Sequence, residues 1–183
     1  AGVEKVKGHS KNMSMELFQK DTSNKILTED FISAIKTFKP DIFVTPTHSI
    51  TKETSRKKCE RAVKTSREYI TKEFVEELAS ESEENKSEGW KGNMLVTISI
   101  EEKYKIISDI IYGKIDEFSS SISGYFFNVH SLKSETRQSI FNQFYEKYPE
   151  DEKLRMLESD GNPTSVLENL ILNGIDLFEA RYP

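Results

Sequence analysis

A parallel α/β fold is predicted for this chain on three observations. Short apolar runs rich in β-branched or aromatic residues recur along it, helical periodicity fills the stretches between them, and cap or turn residues mark the changeovers. A new strand arrives roughly every 20 to 50 residues, the rhythm of parallel strands joined by helical crossovers.

Residues 1–25 fit no βα unit and are expected to be a β-hairpin or irregular lead-in. Ser14-Met15-Glu16-Leu17-Phe18 suits one arm, and Asp21-Thr22-Ser23-Asn24 suits the turn. Thr28 is placed to cap a helix in which Phe31, Ile32, Ile35 and Phe38 share one face. Glu29 and Asp30 fall in its positive first turn and Pro40 lies beyond its end. Asp41-Ile42-Phe43-Val44 then reads as a buried strand over 41–45, and a long charged helix follows from about Ser55 to Leu78. Residues 80–92 are acidic, small and unpatterned. They are expected to form an exposed loop within one domain spanning 1–183, because the βα rhythm resumes after them.

Met94-Leu95-Val96-Thr97-Ile98 is the second strand. Ser99 and Glu102 make a capping box, and Ile100, Tyr104, Ile107, Ile111 and Ile115 form a stripe of period about 3.5, read as a core face. Gly124-Tyr125-Phe126-Phe127 begins the third strand, over 124–128, and Ile140, Phe141, Phe144 and Tyr148 mark the next helix. Strands at 153–157 and 175–178 flank a fifth helix. Asn162 caps it, Pro163 opens it and Gly174 closes it, with Val166, Leu167, Leu170 and Ile171 expected inside. Five strands of this kind are found, whereas closing a (β/α)8 barrel takes eight. An open doubly wound sheet and part of a barrel both fit the pattern.

Composition narrows the function. At 183 residues the chain suits one domain with a real core. Its apolar runs are too short and too charge-flanked to span a bilayer, and no secretory signal is present, although Ala1-Gly2 reads as an internal start. Cys59 stands alone, which excludes an internal disulfide and favours a reducing compartment. The net charge of −5 argues against strong independent RNA affinity; the best local candidate is Ser55-Arg56-Lys57-Lys58 with Arg61 and Lys64, and the plain reading of that run is a solvated helix face.

No glycine pattern of the Rossmann or P-loop type occurs. One Cys and three widely spaced His supply no zinc site, so no metal ligand is expected within this chain. In parallel α/β folds function gathers beyond the C-terminal strand ends. That rule selects Thr45, Thr47 and His48, then Ser99, then Asn128 and His130, then Ser159 and Asp160, and finally Glu179. Ser99 is explained as a cap, and His48 and His130 as loop histidines. Asp160-Gly161-Asn162-Pro163 is a sound turn and cap in itself. Glu179 differs, because a carboxylate straight after a buried strand is costly unless it is paired or faces a wet pocket.

The run from Asn162-Pro163-Thr164 through Asn173-Gly174-Ile175-Asp176-Leu177-Phe178-Glu179 resembles a signature of the tRNA-guanine transglycosylase (queuine tRNA-ribosyltransferase) family. There a G-x-G-x-P turn leads into a helix, followed by a Gly-[IV]-Asp-[ML]-Phe-Asp strand. Leu27-Thr28-Glu29-Asp30-Phe31 with Lys39-Pro40-Asp41-Ile42-Phe43 is similar to the same family's L-T-P-E-x-F helix-to-strand passage. The likeness covers roughly residues 25–183, is most specific at its end, and is divergent in the middle.

The resemblance implies a (β/α)8 TIM-type barrel of which this chain is a part, with the first strands and the zinc subdomain outside it. It also implies the family's reaction, exchange of guanine for queuine at the wobble position of a tRNA anticodon. An Asp attacks the ribose and a second Asp assists proton transfer. The attacking position falls on Glu179, and the D-S-G-G-F-Q motif of the proton-handling Asp has no match. The glycine-rich base-reading stretches correspond to Leu95-Val96-Thr97-Ile98-Ser99-Ile100 and Asn128-Val129-His130, which lack the glycines. These losses are the pattern of the eukaryotic accessory subunit, so no catalytic or substrate-binding residue is assigned.

That role implies a heterodimer with the catalytic queuine tRNA-ribosyltransferase subunit and contact with tRNA through the complex, with self-association a further expectation. It also implies a zinc ion in the full-length protein and a cytoplasmic location, associated with the mitochondrial outer membrane. The alternatives are an active transglycosylase that uses Glu179 and an unrelated α/β binding domain.

Overall fold

The computed structural model describes residues 14–19, 22–47, 55–78, 90, 92–99, 115–128, 134–149, 152–159 and 162–180. Its first elements are β1 (Ser14–Gln19) and β2 (Thr22–Leu27), an antiparallel hairpin registered from Ser14↔Leu27 to Gln19↔Thr22. The chain passes directly into α1 (Thr28–Phe38). The cap of α1 is Leu27 and not the expected Thr28. Leu27 keeps the extended backbone of β2, and its free N–H donates to the Asp30 carboxylate at 3.0 Å. The helix stops at Lys39, which turns left-handed (φ 45°) and donates its N–H to the Ile35 carbonyl. Pro40 follows, which cannot continue the helix. Phe31, Ile32 and Ile35 pack inward as expected, whereas Phe38, in the last turn, is 81% exposed.

After β3 (Ile42–Val44) the single helix expected over 55–78 is two, α2 (Arg56–Glu68) and α3 (Lys72–Leu78). The break lies at Tyr69-Ile70-Thr71. Tyr69 and Ile70 turn into the core, and the Thr71 hydroxyl accepts the Phe74 N–H at 3.1 Å, which starts a new helix. Then come β4 (Asn93–Ser99), a helical turn at 115–117 with a 3-10 turn (Ser119–Ser121), and β5 (Gly124–Asn128). α4 (Ser134–Lys147), β6 (Leu154–Ser159), α5 (Pro163–Asn173) and β7 (Leu177–Ala180) complete the chain. Glu102 and most of the isoleucine stripe behind it lie outside the described residues, as does most of the 80–92 segment; Ile115, the end of the stripe, is buried.

β3 to β7 pair in parallel, in chain order, and form a curled half-barrel. β7 starts two residues later than expected, because Asp176 is engaged ahead of the ladder. Its N–H donates to the Arg155 carbonyl, and its carboxylate accepts the Arg155 N–H, each at 2.9 Å. No helix of the described residues is long and apolar enough to cross a membrane.

The core lies on one side of the sheet. Phe43, Met94, Val96, Ile98, Tyr125, Phe127 and Leu157 pack there against Phe74, Val75 and Leu78 of α3 and Phe141 and Phe144 of α4. Phe144 meets Tyr125 edge-on at 4.7 Å and Phe127 at 5.2 Å, and Phe141 meets Phe127 at 5.0 Å. Edge-to-face pairs of this kind contribute about 0.5–1.5 kcal/mol each beyond burial.

α5 departs from its expected polarity. The Asn162 carboxamide oxygen caps it by accepting the Thr164 N–H, and Gly174 ends it at φ 56°, as read from the sequence. Yet Leu167 and Ile171 face out, 56% and 69% exposed, while Asn169 and Asn173 are buried and bonded to each other at 2.9 Å. A polar seam lies at this end of the sheet. The Tyr145 hydroxyl donates to the Asn173 carbonyl, and the Arg155 guanidinium lies 5.0 Å over the Tyr145 ring. The two asparagine side chains satisfy each other in part, the Asn173 amide donating to the Asn169 oxygen.

Candidate functional site at the C-terminal strand ends

Successive strand residues point to opposite faces, so the register defines the second, concave face of the half-barrel. Leu95, Gly124 and Leu154 stand in one row, and Thr97, Phe126, Met156 and Leu177 in the next. Leu95, Thr97 and Phe126 are buried but lie outside the helix-covered core, which places them on this side. Gly124 serves a close approach here. A Cβ at that position would collide with the Leu154 carbonyl oxygen and lie 2.7 Å from the Leu95 Cδ2.

The row above is polar. Ser99 pairs with Asn128, and Glu158 pairs with Glu179, one residue beyond the Phe127↔Leu157 pair. Two glutamates therefore occupy neighbouring register positions on adjacent strands, about 4.8 Å apart along the ladder. Glu158 is only 9% exposed. Leu95, Phe126 and Met156 thus form an apolar stretch of this face, and the register positions beyond it belong to Ser99, Asn128, Glu158 and Glu179. A polar row of register positions next to an apolar one is the pattern of a small-ligand site.

At the β3 end of this row the chain leaves the sheet through side chains. Thr45 still donates its N–H to the Leu95 carbonyl at 2.9 Å. Beyond it the Thr97 N–H donates to the Thr45 hydroxyl oxygen at 2.9 Å, and the Thr97 hydroxyl donates to the Thr45 carbonyl at 2.7 Å. Both threonines are buried. Thr47 then shares a hydrogen bond with Ser66 of α2 at 3.1 Å. That bond sets the second half of α2 beside the C-terminal end of β3. Tyr69, at the end of α2, has its pKa raised by burial and, secondarily, by the Glu68 carboxylate.

Of the positions selected from the sequence, the fold brings Ser99, Asn128 and Glu179 to one end of one face. Thr45 and Thr47 lie at the same end but serve the junction with β4 and α2. Ser159 pairs with Ala180 and has the opposite parity, that of the helix-covered face. His48, His130 and Asp160 lie outside the described residues, as does the helix that Ser99 was expected to cap. Sequence reasoning missed Glu158. Its signal was the Leu154-x-Met156-x-Glu158 alternation, the same pattern that carries Leu177 to Glu179.

The zinc implied by the family resemblance does not fit this chain. Its donor set is one thiol and three imidazoles, far apart in sequence. Among the described residues no group of three His, Cys, Asp or Glu comes together.

Comparison with known proteins agrees with the signature read from the sequence. Residues 6–183 match the model of a family described as queuine tRNA-ribosyltransferase. A queuine tRNA-ribosyltransferase-like protein of Plasmodium falciparum (isolate 3D7) is 28% identical over 169 residues. The matched stretch covers 89% of this chain and 38% of that protein, so the chain spans well under half the length of its relative.

Proposed function

This chain belongs to the queuine tRNA-ribosyltransferase family, and from that premise we propose that it is part of a non-catalytic accessory subunit. The subunit pairs with a catalytic transglycosylase and helps hold the tRNA whose base is exchanged. The observation that carries this reading is the content of the polar row. The position matching the family's attacking Asp holds Glu179, whose extra methylene displaces the carboxylate where geometry supplies much of the rate. The strand ends matching the glycine-rich base-reading stretches hold Thr97, Ser99 and Asn128, so a base meets side chains where a close approach to backbone needs none. Thr97 is also committed to Thr45 through both its amide and its hydroxyl.

The test uses the full-length protein with and without its catalytic partner, read by labelled-guanine exchange into tRNA and by co-elution. The expected result is co-elution, no exchange by the subunit alone, and undiminished exchange by the pair when Glu179→Ala is introduced. Failure to co-elute overturns the reading.

One observation favours a second reading. Glu158 stands in register beside Glu179, so two carboxylates are present where the family's chemistry uses two. Under that reading the subunit alone exchanges guanine, and Glu179→Gln and Glu158→Gln each abolish the activity.

A further inference from the structure

We infer that α2 is an RNA-backbone contact mounted on the rim of the barrel mouth. This rests on the reading that the protein serves a tRNA-modifying complex. It assigns a surface that the family signature does not supply.

The first observation is charge. The sequence of α2 sets six cations, Arg56, Lys57, Lys58, Arg61, Lys64 and Arg67, against two acids, Glu60 and Glu68, in a chain whose net charge is −5. Lys57, Lys58, Arg61, Lys64 and Arg67 are all exposed. Lys57, Arg61 and Lys64 follow i, i+4, i+7 spacing and so form a single stripe, with Lys58 and Arg67 on its flanks. Outside α2, Lys36 is paired with Glu77, Lys72 with Glu76 and Lys147 with Asp116. No such bond joins the five α2 cations to a carboxylate of the described residues.

The second observation is that these charges oppose their own helix. The first turn of a helix favours acids, and α1 obeys with Glu29 and Asp30. In α2 the first turn has no acid and carries Arg56, Lys57 and Lys58 instead. Local rules broken in this way mark functional sites, where another requirement outweighs helix stability.

The third observation is position. The core-packed helix of the β3–β4 crossover is α3, whose Phe74, Val75 and Leu78 are buried. α2 is an added excursion ahead of it. The Thr47–Ser66 bond holds α2 at the C-terminal end of β3, the same end of the sheet as Ser99, Asn128, Glu158 and Glu179. A nucleic acid presenting one nucleotide to that end must lay its flanking phosphates across the rim, and multiple Lys and Arg side chains are what hold phosphates. A membrane surface fits less well, because helices that lie in lipid carry Trp, Phe or Leu on their second face. α2 contains no Trp, Phe, Leu or Ile.

The experiment titrates full-length protein into a fluorescent tRNA anticodon stem-loop at several salt concentrations. It compares the native protein with Lys57→Glu/Arg61→Glu/Lys64→Glu and with the milder Lys57→Gln/Arg61→Gln/Lys64→Gln. A control, Lys147→Glu/Lys153→Glu, reverses charge at the opposite end of the sheet. The glutamate triple is expected to weaken binding at least tenfold at about 0.1 M salt. Its log–log salt slope should fall by about 2, from three lost phosphate contacts at roughly 0.7–0.9 each. The glutamine triple should shift both in the same direction, and the control should leave both unchanged. Co-elution with the catalytic partner should survive in every variant, which separates failure of this inference from failure of the accessory reading. Three results would overturn it: no stem-loop binding by the native protein at about 0.05 M salt, equal affinity and slope in native and triple variants, or binding to anionic phosphatidylserine vesicles without binding to RNA.

Discussion

Replacing Thr45 by valine keeps the shape of the side chain and removes one oxygen, the one that accepts the Thr97 N–H at 2.9 Å. Both residues are buried, so the orphaned N–H has no water to turn to. A buried donor left unsatisfied costs about 1–3 kcal/mol. At roughly tenfold per 1.4 kcal/mol this is about a 5- to 150-fold loss of protection for the Thr97 amide. Hydrogen exchange resolved at that amide is the assay. It reads the free energy of opening at the junction residue by residue. The Thr45 carbonyl, which now accepts the Thr97 hydroxyl at 2.7 Å, is the one group that could take the amide instead. Protection unchanged within twofold would mean that the ladder simply resumes through that carbonyl. The view that side chains hold the end of β3 against β4 would then be wrong.

Three further outcomes are expected. Gly124→Ala forces a Cβ to within 2.8 Å of the Leu154 Cβ and into the Leu154 carbonyl oxygen. It should lower stability by about 1–3 kcal/mol, read as a reduced denaturation midpoint. Phe144→Ala empties a site with no solvent exposure and removes three edge-to-face contacts, so about 3–5 kcal/mol should be lost in the same measurement. Burial raises the pKa of Tyr145 above 10.0; the Arg155 cation opposes the shift and the Asp176 carboxylate adds to it. A raised phenol favours the neutral form in the fold, so its contribution is complete below pH 10 and is lost as pH climbs through the folded value. Phenolate absorbance should therefore rise later for Tyr145 than for a free tyrosine, and Tyr145→Phe should flatten the decline in stability above pH 10.

What could be read in the sequence was what neighbours in sequence determine. The first three strands of the sheet declared themselves through β-branched and aromatic runs, the last two through short apolar runs alone, and the ends of α5 through Asn162 and Gly174, because these signals act within a few residues. The expected inside of α5 was wrong for the opposite reason. Leu167 and Ile171 look like core residues from their spacing, but the face that packs inward carries Asn169 and Asn173, bonded to each other, and Tyr145 from another element ties the end of that face through the Asn173 carbonyl. The break after Glu68 was hidden as well. It depends on Tyr69 and Ile70 finding a core that is assembled from distant strands. Glu158 was lost by one residue, since a strand thought to end at Leu157 leaves its partner across from Glu179 unseen.

The order of the strands bears on how such a chain is made. β3, β4, β5, β6 and β7 lie side by side in the sequence in which they leave the ribosome, and each pairs with the one synthesised just before it. Among the described strands of this sheet, every new βα unit meets a ready-made edge, since each strand after β3 pairs with its predecessor. The loop closed at each step is one crossover long, which keeps its entropic cost low and limits the time an unpaired edge is open to other chains. A fold of this kind can grow vectorially during synthesis, unit upon unit, with β7 joining β6 only after β3 to β6 are in place.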